Sequence, residues 1–193
     1  MKDEWNENTL PEFTQWQRIF YRLRQFSRGL LAQVNEQERQ SIRAWLPAAA
    51  YALFLRLPVD AQRHSLNVLH DLQQRGDVHP DLATAALLHD VGKLAADEAG
   101  VRINLWLRGP LVLLKTFLPR LFYRLQSENP KHGWRYALHV SEAHPQIGAK
   151  WAAQLGCSEL TCWLIEHHQE DVRNQDGERY ALLLALQWAD ERN

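Results

Sequence analysis

Along this chain, apolar residues recur at steps of three and four rather than in alternation. From Phe13 onward, Phe13, Trp16, Phe20, Leu23, Leu30 and Val34 predict an amphipathic helix whose other faces carry Arg18, Arg22, Arg24 and Arg28. A second helix is expected from Glu36 to Leu57, the two making an N-terminal αα-hairpin. After Pro58, the stretch from Asp60 to Arg75 reads as a helix closed by Gly76. His79-Pro80-Asp81 opens another, because proline suits the first turn and Asp81 complements the helix dipole; it ends near Val91-Gly92. His144-Pro145 is expected to start a helix that stops at Gly156. Ser158 caps one running to about His168, and Arg179 to Asp190 forms the last. No period-2 strand of useful length and no internal repeat is found. The pattern is that of an all-α fold.

Length and composition narrow this further. At 193 residues the chain is one domain with room for an appendage. It divides into a tail and helical hairpin over 1–57 and a main domain over 58–193. With 46% hydrophobic and 23% charged residues it is neither disordered nor fibrous. Its 22 basic and 23 acidic residues exclude a histone-like nucleic-acid binder. Cys157 and Cys162 read as buried, unbridged thiols of a reducing compartment. Polar residues follow Met1, and the longest apolar run, Leu46 to Leu55, contains Pro47 and falls short of the roughly 20 residues a spanning helix needs. A cytoplasmic location is expected.

Charge is unevenly spread. Residues 101–135 hold Arg102, Arg108, Lys115, Arg120, Arg124, Lys131 and Arg135 against the single acid Glu128, interleaved with apolar residues such as Leu111, Phe117, Leu118, Leu121 and Tyr123. Pro110 and Pro119 prevent one long helix. Three readings stay open: peripheral contact with an anionic membrane surface, a lid that draws in an anionic substrate, or a packed helical pair with a solvated basic face.

The chemistry lies with histidine. Five of nine histidines fall with two aspartates at expected helix starts or ends: His64, His89-Asp90, His144, His167-His168 and Asp190. Imidazole and carboxylate are the ligands of borderline divalent metals, and a helical bundle can aim them at one locus. Adjacent residues on a helix point about 100° apart, so His89 and Asp90 reach one ion only from a helix end or a locally distorted turn; Gly92, two residues on, supplies such an ending. His70, His79, His132 and His139 read as structural or surface residues.

Leu87-Leu88-His89-Asp90-Val91-Gly92-Lys93 resembles the HD-domain metal-dependent phosphohydrolases, whose order is a lone His, a His-Asp pair and a distant Asp. Here these are His64, His89-Asp90 and Asp190. His144-Pro145-Gln146-Ile147-Gly148-Ala149 and Ile165-Glu166-His167-His168 resemble segments of the sub-branch with extra histidines, which complete a second metal site. The resemblance covers about residues 60–193. The Gly-Tyr-Pro triplet of the HD-GYP branch is missing after His168, so the cyclic dinucleotides of that branch are not implied. The long interval between Asp90 and His144 marks the basic stretch, about 95–136, as an insertion.

The resemblance implies an HD/phosphodiesterase-like helical bundle binding two divalent ions, drawn from Fe, Mn, Mg, Ni, Co or Zn. His64, His89, Asp90 and Asp190 would hold the first; His144, His167 and His168 the second, with Asp90 bridging. Catalysis would use Asp90 and a metal-activated water, with Lys93 meeting the phosphoryl charge. The expected substrate is a nucleotide or another small phosphate ester. Two other activities share these ligands: a di-iron oxygenase, and a non-catalytic metal- or nucleotide-binding scaffold. The N-terminal hairpin is expected to pack on the domain or on a second copy, as a homodimer.

Overall fold

The structure, a computed structural model, describes residues 33–76, 78–101, 114–172 and 175–193. The Arg-rich helix expected from Phe13, and with it the first arm of the expected hairpin, lies outside these residues but for Gln33 and Val34. Among the described residues there is no strand, and nine α-helices follow one another. They are α1 (Glu36–Ser41), α2 (Ala48–Leu55), α3 (Val59–Gln73), α4 (Pro80–Leu88), α5 (Leu94–Glu98), α6 (Pro119–Leu125), α7 (Trp134–Gln154), α8 (Glu159–His167) and α9 (Glu178–Arg192). The all-α expectation holds.

The helix expected from Glu36 to Leu57 is broken. Asn35 caps α1 in a capping box with Glu38, and a 3-10 turn, Ile42–Ala44, follows. Pro47 then adopts φ −52°, ψ 147° and restarts the chain as α2. Proline has no N–H to donate to a preceding turn, so the break falls there. Ile42, Leu46, Ala50, Leu53, Phe54 and Leu57 nonetheless enter the same core as the later helices. Arg63 of α3 fastens this part from outside, with 2.7 Å bonds to both Glu38 carboxylate oxygens and two further bonds to the Gln33 carbonyl. These bonds hold the Glu38 carboxyl below its usual pKa.

Helix α4 is the centre of the bundle. From Leu82 to Leu88 every residue is buried, and α3, α8 and α9 all pack on it. Its Ala- and Leu-rich sequence follows: small residues let three neighbours approach one axis. The amphipathic α3 lays Ser65, Leu66, Val68, Leu69 and Leu72 on this core. Helix α9 adds Leu183, Ala185, Leu186 and Ala189. Its end is fastened, with Asn193 Nδ2 3.0 Å from Asp71 Oδ2 and Arg75 stacked 3.6 Å over the Trp188 ring.

The longest helix, α7, departs from expectation. His144-Pro145 does not start it; the helix begins at Trp134 and runs through Pro145 to Gln154. Only one i→i−4 bond is lost there, and the buried surface of Ala137, Leu138, Val140, Ala149 and Ala152 outweighs it. Of the expected insertion, residues 102–113 lie outside the described part. The remainder doubles back on α7: Lys115 Nζ is 2.7 Å from Glu142 Oε1, Arg135 Nε donates to Leu125 O at 2.9 Å, and Phe122 is buried. Both cysteines are free as expected, but half-buried rather than buried. Burial still pushes the Cys157 thiol pKa up to about 11. No helix among the described residues is long and apolar enough to cross a membrane.

Candidate metal centre

Four imidazoles and two carboxylates from five segments meet at one end of α4. His64 comes from α3, His89 and Asp90 from the end of α4, His144 from the middle of α7, His168 from the end of α8, and Asp190 from α9. His64 Nε2 lies 3.2 Å from His89 Nε2 and 2.9 Å from Asp190 Oδ1; His89 Nε2 is 3.5 Å from that same oxygen. On the other side, Asp90 Oδ1 is 3.3 Å from His144 Nε2 and 4.0 Å from His168 Nε2. Two candidate metal groups follow, His64–His89–Asp90 and Asp90–His144–His168, with Asp90 common to both.

Local backbone explains each placement. Helix α4 ends at Leu88, and Asp90 sits at φ −99°, ψ 0°, outside helical space. Consecutive residues therefore reach one locus, as a helix end permits. The next turn, Val91–Lys93, runs against α7 so closely that a Cβ on Gly92 would lie 2.0 Å from the His144 carbonyl oxygen. Glycine is required there by contact, not by its own φ.

Three histidines share a device. His89 Nδ1 is 3.0 Å from Ala86 O, His144 Nδ1 is 3.0 Å from Ser141 O, and His168 Nδ1 is 2.7 Å from Ile165 O. Each ring donates to the carbonyl three residues back. Two of these carbonyls lie in last turns, where helices leave carbonyls free. Ser141 O is free for another reason: its usual donor would be the N–H that Pro145 lacks. The bonds assign the Nδ1–H tautomer and turn a bare Nε2 lone pair into the cluster. This is the outer bond that orients a metal-ligating histidine.

The electrostatics ask for a cation. Bare Nε2 lone pairs facing two carboxylates repel unless a positive charge lies between. Burial disfavours a charged His89, but Asp90 and Asp190 prevail and raise its pKa to about 9. A proton there takes the place a metal would fill. Burial, with the charges of His89 and His144, drops His168 to about 3, so its lone pair stays available at neutral pH. Burial also opposes ionisation of both aspartates; Lys93, His89 and His144 around Asp90, and His89 with His64 around Asp190, nevertheless hold them well below the usual carboxylate range. His168 Nε2 is buried without any hydrogen-bond partner. Metal–ligand bonds of about 2.1 Å put neighbouring ligand atoms roughly 3.0–3.4 Å apart, close to the separations within the cluster. The donors present fit a divalent ion.

One predicted ligand lies apart from the rest. His167 is outside both groups. Its ring stacks on Trp163 at 4.5 Å, and its Nδ1 is 2.8 Å from Trp163 O. These contacts hold His167 back along α8, while His168, the residue just past the helix end, turns its ring to the cluster. Lys93 is at the rim, its Nζ 2.6 Å from Asp90 Oδ2. The sequence reading missed Gln169, whose Nε2 is 3.4 Å from His144 Nε2, and Gln187, which bonds the carbonyls of His168 and Glu170. Nothing in the local pattern distinguishes either from a surface glutamine. His70, His79 and His132 make surface hydrogen bonds to Gln74, the Asp81 amide and Ser127.

An all-α bundle that gathers imidazoles and carboxylates from five segments is a helical domain with a candidate metal centre. Comparison with protein families is specific: residues 62–192 match the HD domain, and the chain belongs to that family. The family consists mostly of metal-dependent phosphohydrolases, and the His/Asp groups here are of a kind that holds metal. Comparison with curated proteins and with solved structures found no match.

Proposed function

We propose that this protein is a metal-dependent phosphohydrolase acting on a nucleotide or other small phosphate ester. The observation that carries the reading is the set of Nε2 atoms converging on two carboxylates, each of three rings oriented by a carbonyl behind it. His64, His89, Asp90 and Asp190 would hold one divalent ion; Asp90, His144 and His168 a second. The imidazole-rich set suits Fe, Mn, Co, Ni or Zn better than Mg, which favours oxygen. Bound there, such ions supply Lewis-acid polarisation of a phosphoryl oxygen and a water of lowered pKa.

The chain's own residues do the rest. Asp90, held ionised beside Lys93, joins the two groups. Lys93 is 39% exposed at its side chain, so its ammonium can swing from Asp90 to a substrate phosphate and offset its charge. Metal content of gently purified protein tests the reading. About two ions per chain are expected, about one in His144→Ala and none in Asp90→Ala, with phosphate-ester turnover lost in Asp90→Ala. Metal-free protein after reloading, or turnover surviving Asp90→Ala, would sink it. Oxygen consumption by the metal-loaded protein without phosphate release would favour a di-iron oxygenase instead.

A further inference from the structure

We propose that α6 and the turn before it form a docking surface for an anionic lipid bilayer. Phe117 is 68% exposed, Leu118 53%, Leu121 43% and Tyr123 55%. Single exposed apolar residues are ordinary, but four within seven positions form a patch that demands a partner. The segment presenting them is held in place. Phe122 alone points inward, at 1% exposure, and Glu142 of α7 receives both Lys115 and the Tyr123 hydroxyl.

The charges identify the occupant. Arg120 and Arg124 lie among the apolar residues, and neither side chain makes an ion pair or hydrogen bond among the described residues. No acid occurs between Lys115 and Glu128, although the whole chain is near neutral. Guanidinium groups fork onto phosphate oxygens, while exposed leucine and phenylalanine enter the acyl boundary beneath the headgroups. Nucleic acid would satisfy the arginines but offers little to Leu118 and Leu121. A helix of seven residues that starts at Pro119 lies on a bilayer and does not span it. Docking there would also hold α7, which carries His144 two residues beyond Glu142, beside the membrane. The inference is independent of the reaction proposed above.

Flotation of the full-length protein with vesicles tests it, comparing phosphatidylcholine alone with a mixture one-third phosphatidylglycerol. Binding to the anionic vesicles, loss at high salt and no binding to neutral vesicles are expected. A basic residue near such a surface is worth about fivefold in partitioning, so Arg120→Glu/Arg124→Glu should weaken binding by more than about twentyfold. Arg120→Lys/Arg124→Lys should retain most of it. Leu118→Ser/Leu121→Ser should lose it with unchanged circular dichroism and melting. Failure of the wild-type protein to float with anionic vesicles at low salt overturns the proposal. So does binding indifferent to both charge reversal and serine substitution. A non-floating dimer that Leu118→Ser/Leu121→Ser makes monomeric would assign the patch to a second copy instead.

Discussion

Replacing Gly92 by alanine probes the joint between the His-Asp pair and α7. The added Cβ would lie 2.0 Å from His144 O, 2.8 Å from Gly148 N and 2.9 Å from His144 C. All three are backbone atoms of a buried helix, so no rotamer change relieves them. Restoring ordinary contact needs the 3-10 turn and α7 to part by more than about 1 Å in a close-packed interior. Overpacking costs about 1–3 kcal/mol where side chains can adjust, and the rigid backbone here puts Gly92→Ala at about 3 kcal/mol or above. In a domain of this size that lowers Tm by roughly 6–12 °C. The same parting pulls Asp90 from His144, now 3.3 Å apart, and should empty the Asp90–His144–His168 group first. Thermal unfolding of metal-free protein followed by circular dichroism, with metal analysis of the loaded variant, measures both effects. Gly148→Ala is the graded control: its Cβ would meet Gly92 N and Ile165 Cγ2 at 3.3 Å, which a few tenths of an ångström relieve. A Gly92→Ala protein melting within about 2 °C of wild type, with full metal content, would refute the packing argument.

Pro145→Ala should restore a backbone donor to Ser141 O in competition with the His144 ring. Metal affinity at the group containing His144 should fall about 10- to 100-fold, without loss of helix content, as read by chelator competition. His168→Ala should remove one ion per chain, whereas His167→Ala should leave the content unchanged; equal losses would show that His167 also binds. His89, with its pKa raised to about 9, should be protonated at neutral pH in metal-free protein. Its contribution to metal-free stability is full below the ordinary value near 6.5 and is lost as pH rises through about 9, so denaturant midpoints should fall across that window. Metal loading at neutral pH should displace that proton, and calorimetry in buffers of different ionisation enthalpy will count it.

Much of this centre is legible from one sequence because helix ends leave marks. Gly92 after His89-Asp90 signals the end that lets both side chains converge, and Ser158 fixes where α8 starts and hence where His168 falls. Other features depend on partners far along the chain. His144-Pro145 carries the signature of a helix start, yet helix continues because the surface buried on both sides of Pro145 exceeds the loss of one bond. The pairing of His167 with His168 reads as a double ligand, but Trp163 one turn back captures the first ring. An unbroken helix over Glu36 to Leu57 ignores Pro47, whose missing N–H ends the preceding turn and restarts the chain as α2. Gln169 and Gln187 gain their roles only once α7, α8 and α9 are in contact.

The members of the centre are drawn from both ends of the matched region, His64 near its start and Asp190 near its close. An ion held among them would therefore be a cross-link, closing loops longer than any single disulfide could close between the chain's two neighbouring cysteines. Its binding energy is added to that of the native state alone, about 2.7 kcal/mol at a hundredfold excess over Kd. Withdrawal of such an ion would be felt by every helix around α4, not by one loop. The resistance of the whole molecule to unfolding would then gauge how fully it is loaded with metal.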